Sequence, residues 1–197
     1  AQMLNFPVLG GTSGHLIGGV LVAVLLGPSA AVIVMSSVLI LQCLMFADGG
    51  ITALGANIFN MAVIAPLVGY AVYRVSYRVL GANAPARFAS VAFAAWLSTV
   101  AASIACAAQL AASGTADWRV VFPAMTGIHM LIGIGEAVIT VLVVAAIIRI
   151  APEMIPDPDR TRSRIDLRYV IGYGLVVSLG LVLFLSPFAS SSPDGLE

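Results

Sequence analysis

Lysine is absent from this sequence, and charge of either sign is scarce. Of 197 residues, nine are arginine and nine are Asp or Glu, so 9% are charged and the net charge is zero. A soluble domain carries roughly 25% charged residues because its surface must face water, and this shortage excludes one. Balance to zero also excludes a nucleic-acid binder, which needs a basic face. Disorder requires low hydrophobicity and high net charge, whereas this chain is 60% hydrophobic with a mean hydropathy of +1.06. Cysteine is nearly missing: Cys43 and Cys106 lie inside apolar runs, so no disulfide scaffold is indicated. No Walker A, Cys-x-x-Cys, His-Glu-x-x-His or Gly-x-Ser-x-Gly sequence occurs. The chain thus carries no recognisable ATPase and no strong hydrolase signature, and any motor belongs to another subunit. What remains is an integral membrane protein.

The few charges are bunched. The first is Asp48, and uncharged stretches follow at 49–73, 88–116, 120–135 and 169–193. A spanning helix needs about 20 apolar residues. All but 120–135 reach that length alone, and that stretch continues past Glu136. A removable signal peptide cannot account for several such segments. Residue 1 is Ala rather than Met and apolar sequence begins at once, so the chain reads as an excerpt continuing upstream and, by its abrupt ending at 193–197, downstream.

Breakers and flanks predict an all-α, polytopic transmembrane bundle of about six to seven membrane helices, one of them short. Residues 1–6 read as the tail of a preceding helix ended by Pro7, and 9–14 as a loop of Gly, Thr and Ser. Residues 15–26 read as a short helix halted at Gly27-Pro28. Its length, about 18 Å at 1.5 Å per residue, is less than a ~30 Å hydrocarbon core. The loop before it must therefore dip below the membrane surface, where irregular backbone survives only if protein buries it or it lines a cavity. Full spans are expected at 29–47, 54–77, 86–112 and 120–150. A charged linker with three prolines follows at 151–167, then a last span at 168–189.

The arginines orient this bundle. Arg74, Arg78 and Arg87 flank one short loop, and Arg149, Arg160, Arg162, Arg164 and Arg168 flank another. The positive-inside rule makes both cytoplasmic. Alternation then puts 113–119, 48–53 and the 9–15 loop outside. The expected location is the cell membrane of a prokaryote, crossed several times, with His15 at the external face and the arginine-rich loops inside.

Polar groups in or near the spans are few. His15 closes the run Gly10-Gly11-Thr12-Ser13-Gly14 at the start of the short helix. Neutral imidazole commonly ligates Ni, Co, Cu and Zn, although a loop histidine can equally be bonded to backbone. The glycine run could instead cradle an anion, but no basic residue is near. Gln42, Thr52, Asn57 and Asn60 flank the external ends of two spans; Asn57 and Asn60, three apart, share a helix face. Such groups often serve as interhelical hydrogen-bond glue. His129 and Glu136 lie seven apart on one face of 120–150, and an intramembrane carboxylate is a functional candidate by default, or else a packing anchor. No second carboxylate sits on a neighbouring span, so a proton-driven transporter lacks support. The glycines at 14, 18, 127, 133 and 135 are expected to allow close helix approach.

Two strings resemble a known family: Gly10-Gly11-Thr12-Ser13-Gly14-His15-Leu16-Ile17-Gly18-Gly19, and Phe46-Ala47-Asp48-Gly49-Gly50-Ile51-Thr52-Ala53-Leu54-Gly55-Ala56-Asn57-Ile58-Phe59-Asn60-Met61. They are similar to the CbiM/NikM family, the substrate-binding S components of energy-coupling factor (ECF) transporters for cobalt and nickel. The likeness is strong over 3–73 and continues to about residue 150. The ending Ser192-Pro193-Asp194-Gly195-Leu196-Glu197 resembles the opening of a PDGLE, or CbiN-like, domain. The implied organisation is an S-component core at 1–150, a cytoplasmic linker at 151–167 and the start of the CbiN-like domain, with one span, at 168–197.

The resemblance implies a nitrogen-rich, roughly square-planar metal site on the external side. Its donors in the family are the N-terminal amine, the backbone nitrogen and imidazole of a second-position histidine, and one further histidine, which matches His15. The other donors would lie upstream of Ala1. Several nitrogens in a plane suit Ni(II) and tetragonal Co(II), whereas one imidazole cannot hold either. Ser13, Gln42, Asn57, Asn60, His129 and Glu136 are left as supporting or structural polar groups. No permanent cofactor is implied, since Co(II) or Ni(II) is the substrate. The implied partners are a transmembrane coupling subunit, two cytoplasmic ATPases and the lipid bilayer. Cobalt is favoured by the family's link to cobalamin synthesis and by the CbiN-like ending. Two alternatives stand beside a subunit of an ECF-type ABC importer. One is an intramembrane enzyme using His129 and Glu136 as an acid/base pair. The other is an S component for an organic vitamin, stacked on Trp96 or Trp118.

Overall fold

A computed structural model describes residues 5–8, 12–46, 50–81 and 83–155, with backbone alone at 5–8, 12–13 and 46. The chain opens with two short strands, β1 (Asn5–Val8) and β2 (Thr12–His15), and continues through α1 (Gly19–Leu26), α2 (Pro28–Phe46), α3 (Leu54–Leu80), α4 (Ala84–Ala112) and α5 (Trp118–Ile150). Each of the last four is long and apolar enough to cross a membrane. The all-α, multi-pass architecture is as expected, with four long spans and one short helix among the described residues. The seventh element, the span at 168–189, lies outside the described residues, as does everything from 156 onward.

The first segment departs from expectation. Residues 5–8 are not the tail of a helix but a strand, paired antiparallel with β2 in the register Asn5↔His15, Phe6↔Gly14, Pro7↔Ser13 and Val8↔Thr12. Backbone groups below a membrane surface must find partners within the protein, and a hairpin satisfies a Gly- and Pro-containing stretch that cannot sustain a helix. The short helix also starts four residues later than predicted. Gly18 occupies the left-handed region at φ 74°, where an L side chain is strained, so α1 begins only at Gly19. Its eight residues rise about 12 Å, shorter than the sequence suggested.

The other boundaries follow local chemistry. Gly27, at φ 85°, turns the chain out of α1, and Pro28 opens α2 with its fixed φ and no orphaned N–H. Asn83 caps α4 by accepting a hydrogen bond from the Ala86 N–H at 2.8 Å, and Asp117 caps α5 through the Arg119 N–H at 2.7 Å. α3 is not uniform. After an α-helical turn at Leu54–Asn57 it widens into a π-helix at Ile58–Ile64, then continues as α-helix over Ala65–Leu80.

α1 touches all four spans. Val20 and Ala23 are fully enclosed, and Val20 and Val24 join Tyr73, Tyr77, Val91, Ala94, Ala95 and Val144 in the main core cluster. Hydrocarbon outside a bundle is as apolar as the core inside it, so close packing rather than water exclusion holds these helices together. Small residues make that packing possible. A Cβ on Gly69 would collide with Val20 Cγ2 and lie 3.1 Å from Ser98 Cβ, and one on Gly133 would lie 2.9 Å from Trp96 Cδ1. The glycine expectations divide accordingly: Gly133 does bring α4 and α5 together. Gly18 instead serves backbone conformation, and Gly127 has no neighbour within 4 Å of where its Cβ would be. Large apolar side chains such as Ile33, Leu44, Met45, Leu131 and Leu142 point outward, as lipid-facing positions should. After α5, a 3-10 turn at Pro152–Met154 brings Met154 and Ile155 into buried positions.

Candidate metal site

His15 is the last residue of β2, and its backbone is constrained from both sides. Upstream, the hairpin pairs it with Asn5. Downstream, the N–H groups of Ile17 and Gly18 donate to the two carboxyl oxygens of Glu136, at 2.9 Å to Oε2 and 2.6 Å to Oε1. These amides precede the first turn of α1 and have no helical partner of their own. Glu136, only 4% exposed on α5, supplies it. The strand lies directly on α5 because Gly14 has no side chain. A Cβ there would fall 2.6 Å from Ile132 Cδ1, 3.1 Å from His129 Cε1 and 3.3 Å from His129 Nε2.

His129 is buried, and its Nδ1 lies 2.7 Å from the Met125 carbonyl oxygen, one helical turn back. A carbonyl can only accept, so Nδ1 carries the proton. Nε2 then keeps its lone pair on the edge facing Gly14. A backbone carbonyl fixing one ring nitrogen while the other is free to ligate is the usual arrangement around metal-binding histidines.

Behind His15 lies a cavity of about 60 Å³. His15, His129, Asn57, Asn60, Ser103 and Cys106 supply its polar and sulfur-bearing walls, with Ile17, Met61, Ala102 and Met125 between them. A drug-sized organic ligand needs roughly 300 Å³ or more, so this space fits an ion with little of its water rather than a vitamin. A larger crevice of about 470 Å³ between α4 and α5 runs past Phe93 and Trp96, but every residue lining it is apolar and nothing there would orient a polar substrate. Trp96 itself donates to the Met130 carbonyl at 3.1 Å, and Trp118 stacks on Phe122. Neither indole lines the cavity.

The structure brings His15, His129, Asn57 and Asn60 to one place. The π-helical stretch turns Asn60 inward, where its carboxamide pairs reciprocally with Gln109 of α4, donating at 3.0 Å and accepting at 2.9 Å. Gln42 stays apart, half-buried on α2 and off the cavity wall. Ser13 is placed by its backbone alone, opposite Pro7. Glu136 is adjacent but does not line the cavity, and its oxygens go to the loop amides. Among the described residues no hydrogen bond joins Glu136 to His129, and each is bonded to backbone instead. Sequence reasoning passed over Gln109, Ser103 and Cys106. A carboxamide alone within the apolar run 88–112 was a signal that Gln109 needed a polar partner; nothing marked the other two.

Among the described residues no three His, Cys, Asp or Glu side chains converge tightly enough to hold a metal ion unaided. His15 and His129 supply two imidazoles on the cavity wall, and a stable Ni(II) or Co(II) complex requires further nitrogen donors.

The sequence profile described as "CbiM: Cobalt uptake substrate-specific transmembrane region" matches residues 1–154. A crystal structure of a truncated transition metal transporter superposes with a TM-score of 0.69 at 40% identity, covering 75% of this chain and 74% of that one. The fused nickel transport protein NikMN of Rhodobacter capsulatus is 36% identical over 193 residues, which is 90% of this chain and 56% of the relative. The cobalt transport protein CbiM of Kyrpidia tusciae is 32% identical over 157 residues, 77% of this chain and 63% of the relative. The chain spans between 51% and 63% of the length of the curated fused nickel transport relatives it matches.

Proposed function

Because this chain belongs to the CbiM family of cobalt uptake substrate-specific transmembrane regions, we propose that it captures Co(II) or Ni(II) for an ECF-type ABC importer. The observation that carries this reading is the placement of His15. It is held between a strand pair and a buried carboxyl, beside an ion-sized cavity that a second imidazole, His129, also lines. An irregular segment at that depth in a bundle is costly unless it forms a site.

The arginine distribution supports an external opening for this site, with the ion passed inward. The absence of any nucleotide-binding motif supports ATP hydrolysis on separate cytoplasmic subunits, joined through a transmembrane coupling subunit. In that arrangement 1–150 is the capture core, 151–167 the cytoplasmic linker and 168–197 the start of a CbiN-like domain. Among the groups lining the cavity beside His15, the His129 imidazole is a nitrogen donor of the kind the family's square-planar site uses. Cobalt and nickel accept the same donors, and the relatives are named for both, the fused ones for nickel and CbiM for cobalt. The acid/base alternative loses its footing, because His129 and Glu136 are each bonded to backbone.

The test is metal accumulation in cells that express the full-length protein with its coupling and ATPase subunits. We expect uptake of Co(II), Ni(II) or both to rise at least about tenfold over cells carrying an inactive ATPase, with no rise for Mg(II), whose oxygen-ligand preference this site does not meet. Equal uptake in both strains would contradict the assignment.

A further inference from the structure

The structure assigns Glu136 as the positioning residue of the capture site, a group that touches no metal but sets where His15 stands. This rests on the capture reading. The argument is local and geometric. Between the hairpin and α1 the chain has only Leu16, Ile17 and Gly18, which are neither strand nor helix. Nothing regular dictates their path. Two consecutive N–H groups in this stretch converge on one carboxyl, each taken by its own oxygen at 2.9 and 2.6 Å. A bidentate acceptor fixes both the position and the tilt of the two peptide planes it holds, as a single bond would not.

His15 is two residues upstream of Ile17. Its own pairing to Asn5 lies at the end of the ladder, where strand pairs fray most easily. The clamp therefore closes a short arc: strand at one side, carboxyl at the other, His15 between them. Gly14 completes it by letting the loop settle against α5, since the Cβ of a residue at 14 would press on Ile132 and His129. Each carboxyl oxygen takes one of the two amides and the group lines no part of the cavity, so its role is orientation and not ligation. The same bonds tie the capture loop to α5, so that the loop and the helix carrying His129 move as one body.

The experiment uses the full-length protein purified in detergent, titrated with Ni(II) or Co(II) alone. Glu136→Gln keeps the volume and one acceptor oxygen but turns an amide NH₂ toward the second N–H; Glu136→Ala removes both acceptors. Loss of an outer-shell partner typically weakens metal binding by about 10–100-fold. We expect a loss near the lower end for Gln and near the upper end for Ala. The ligand-field absorption of the bound ion should also shift in both variants, because the donors are no longer held in one plane. Thermal melting of the metal-free Gln variant should stay close to wild type. His15→Ala is the control for the capture reading itself. If it loses binding while both Glu136 variants keep wild-type affinity and spectrum, the positioning role is overturned and the capture site stands. If His15→Ala binds as wild type does, the capture reading fails. A Glu136→Gln protein that cannot fold would make the residue a requirement of the whole bundle, and that too would overturn a role confined to the loop.

Discussion

Substituting His15 by alanine is expected to weaken Co(II) and Ni(II) binding by the full-length protein by about a hundredfold or more. Outer-shell losses alone cost up to about that much, and removal of a ligand should exceed them. The substitution is mild for the fold. His15 is only half-buried, the hairpin pairing and the Glu136 clamp both act on backbone, and alanine preserves that backbone. Affinity should fall, therefore, without a matching fall in membrane expression or melting temperature. Calorimetric titration of the purified protein measures the first, and detergent melting the second. His129→Ala provides the comparison. If it abolished binding while His15→Ala did not, the ion would be held from α5, and the loop would be its lid.

The largest effect on stability is expected at Gly69. It faces α1 where Val20 is fully enclosed, and the Ser98 side chain closes the third side. An added methyl cannot be met by a flexible side chain moving into solvent, because Val20 has no solvent to move into. Over-packing of this kind costs about 1–3 kcal/mol, and a larger residue more. Gly69→Ala should lower the melting temperature distinctly, and Gly69→Leu should prevent accumulation of folded protein. The effect should be relieved in the double variant Gly69→Ala with Val20→Ala, since the second change empties the space that the first one needs. A double-mutant cycle by detergent melting measures this coupling. Additive losses would mean that α1 does not lie against α3 as described. Because α1 begins at the capture loop, Gly69→Ala should also weaken metal binding, though less than His15→Ala.

The four long spans were legible because hydrocarbon imposes one demand, about 20 predominantly apolar residues in a row, and α2 to α5 meet it within a few residues of the expected bounds, α5 with Glu136 in its interior. Gly27-Pro28 was equally plain, since proline fixes its own φ and glycine readily takes the turn that an L side chain resists. The hairpin was not. Four residues per strand give almost no alternation to read, and Pro7 looked like the end of a helix when it sits within a strand. The start of α1 was misplaced for a related reason. His15, Leu16 and Ile17 are as apolar in pattern as a helix, and what stops the helix there is a glycine at positive φ and a carboxyl 118 residues away in sequence.

The candidate site divides in the same way. His15 stood out because it is one of two histidines in 197 residues. Glu136 stood out as an intramembrane carboxyl, but its partners are backbone amides, which leave no residue signature. The pairing of Asn60 with Gln109 spans 49 positions and depends on a π-helical turn that widens α3. No spacing rule for an ordinary helix would find it.

The most direct test of the central claim, that the loop ending in His15 is where the ion is captured, is X-ray absorption at the Ni or Co edge of the loaded full-length protein. The account predicts a first shell of nitrogen donors with the outer scattering of imidazole, and loss of part of that imidazole scattering in His15→Ala. A first shell containing sulfur, from Cys106 or the cavity methionines, or an imidazole signal that His15→Ala leaves unchanged, would contradict it.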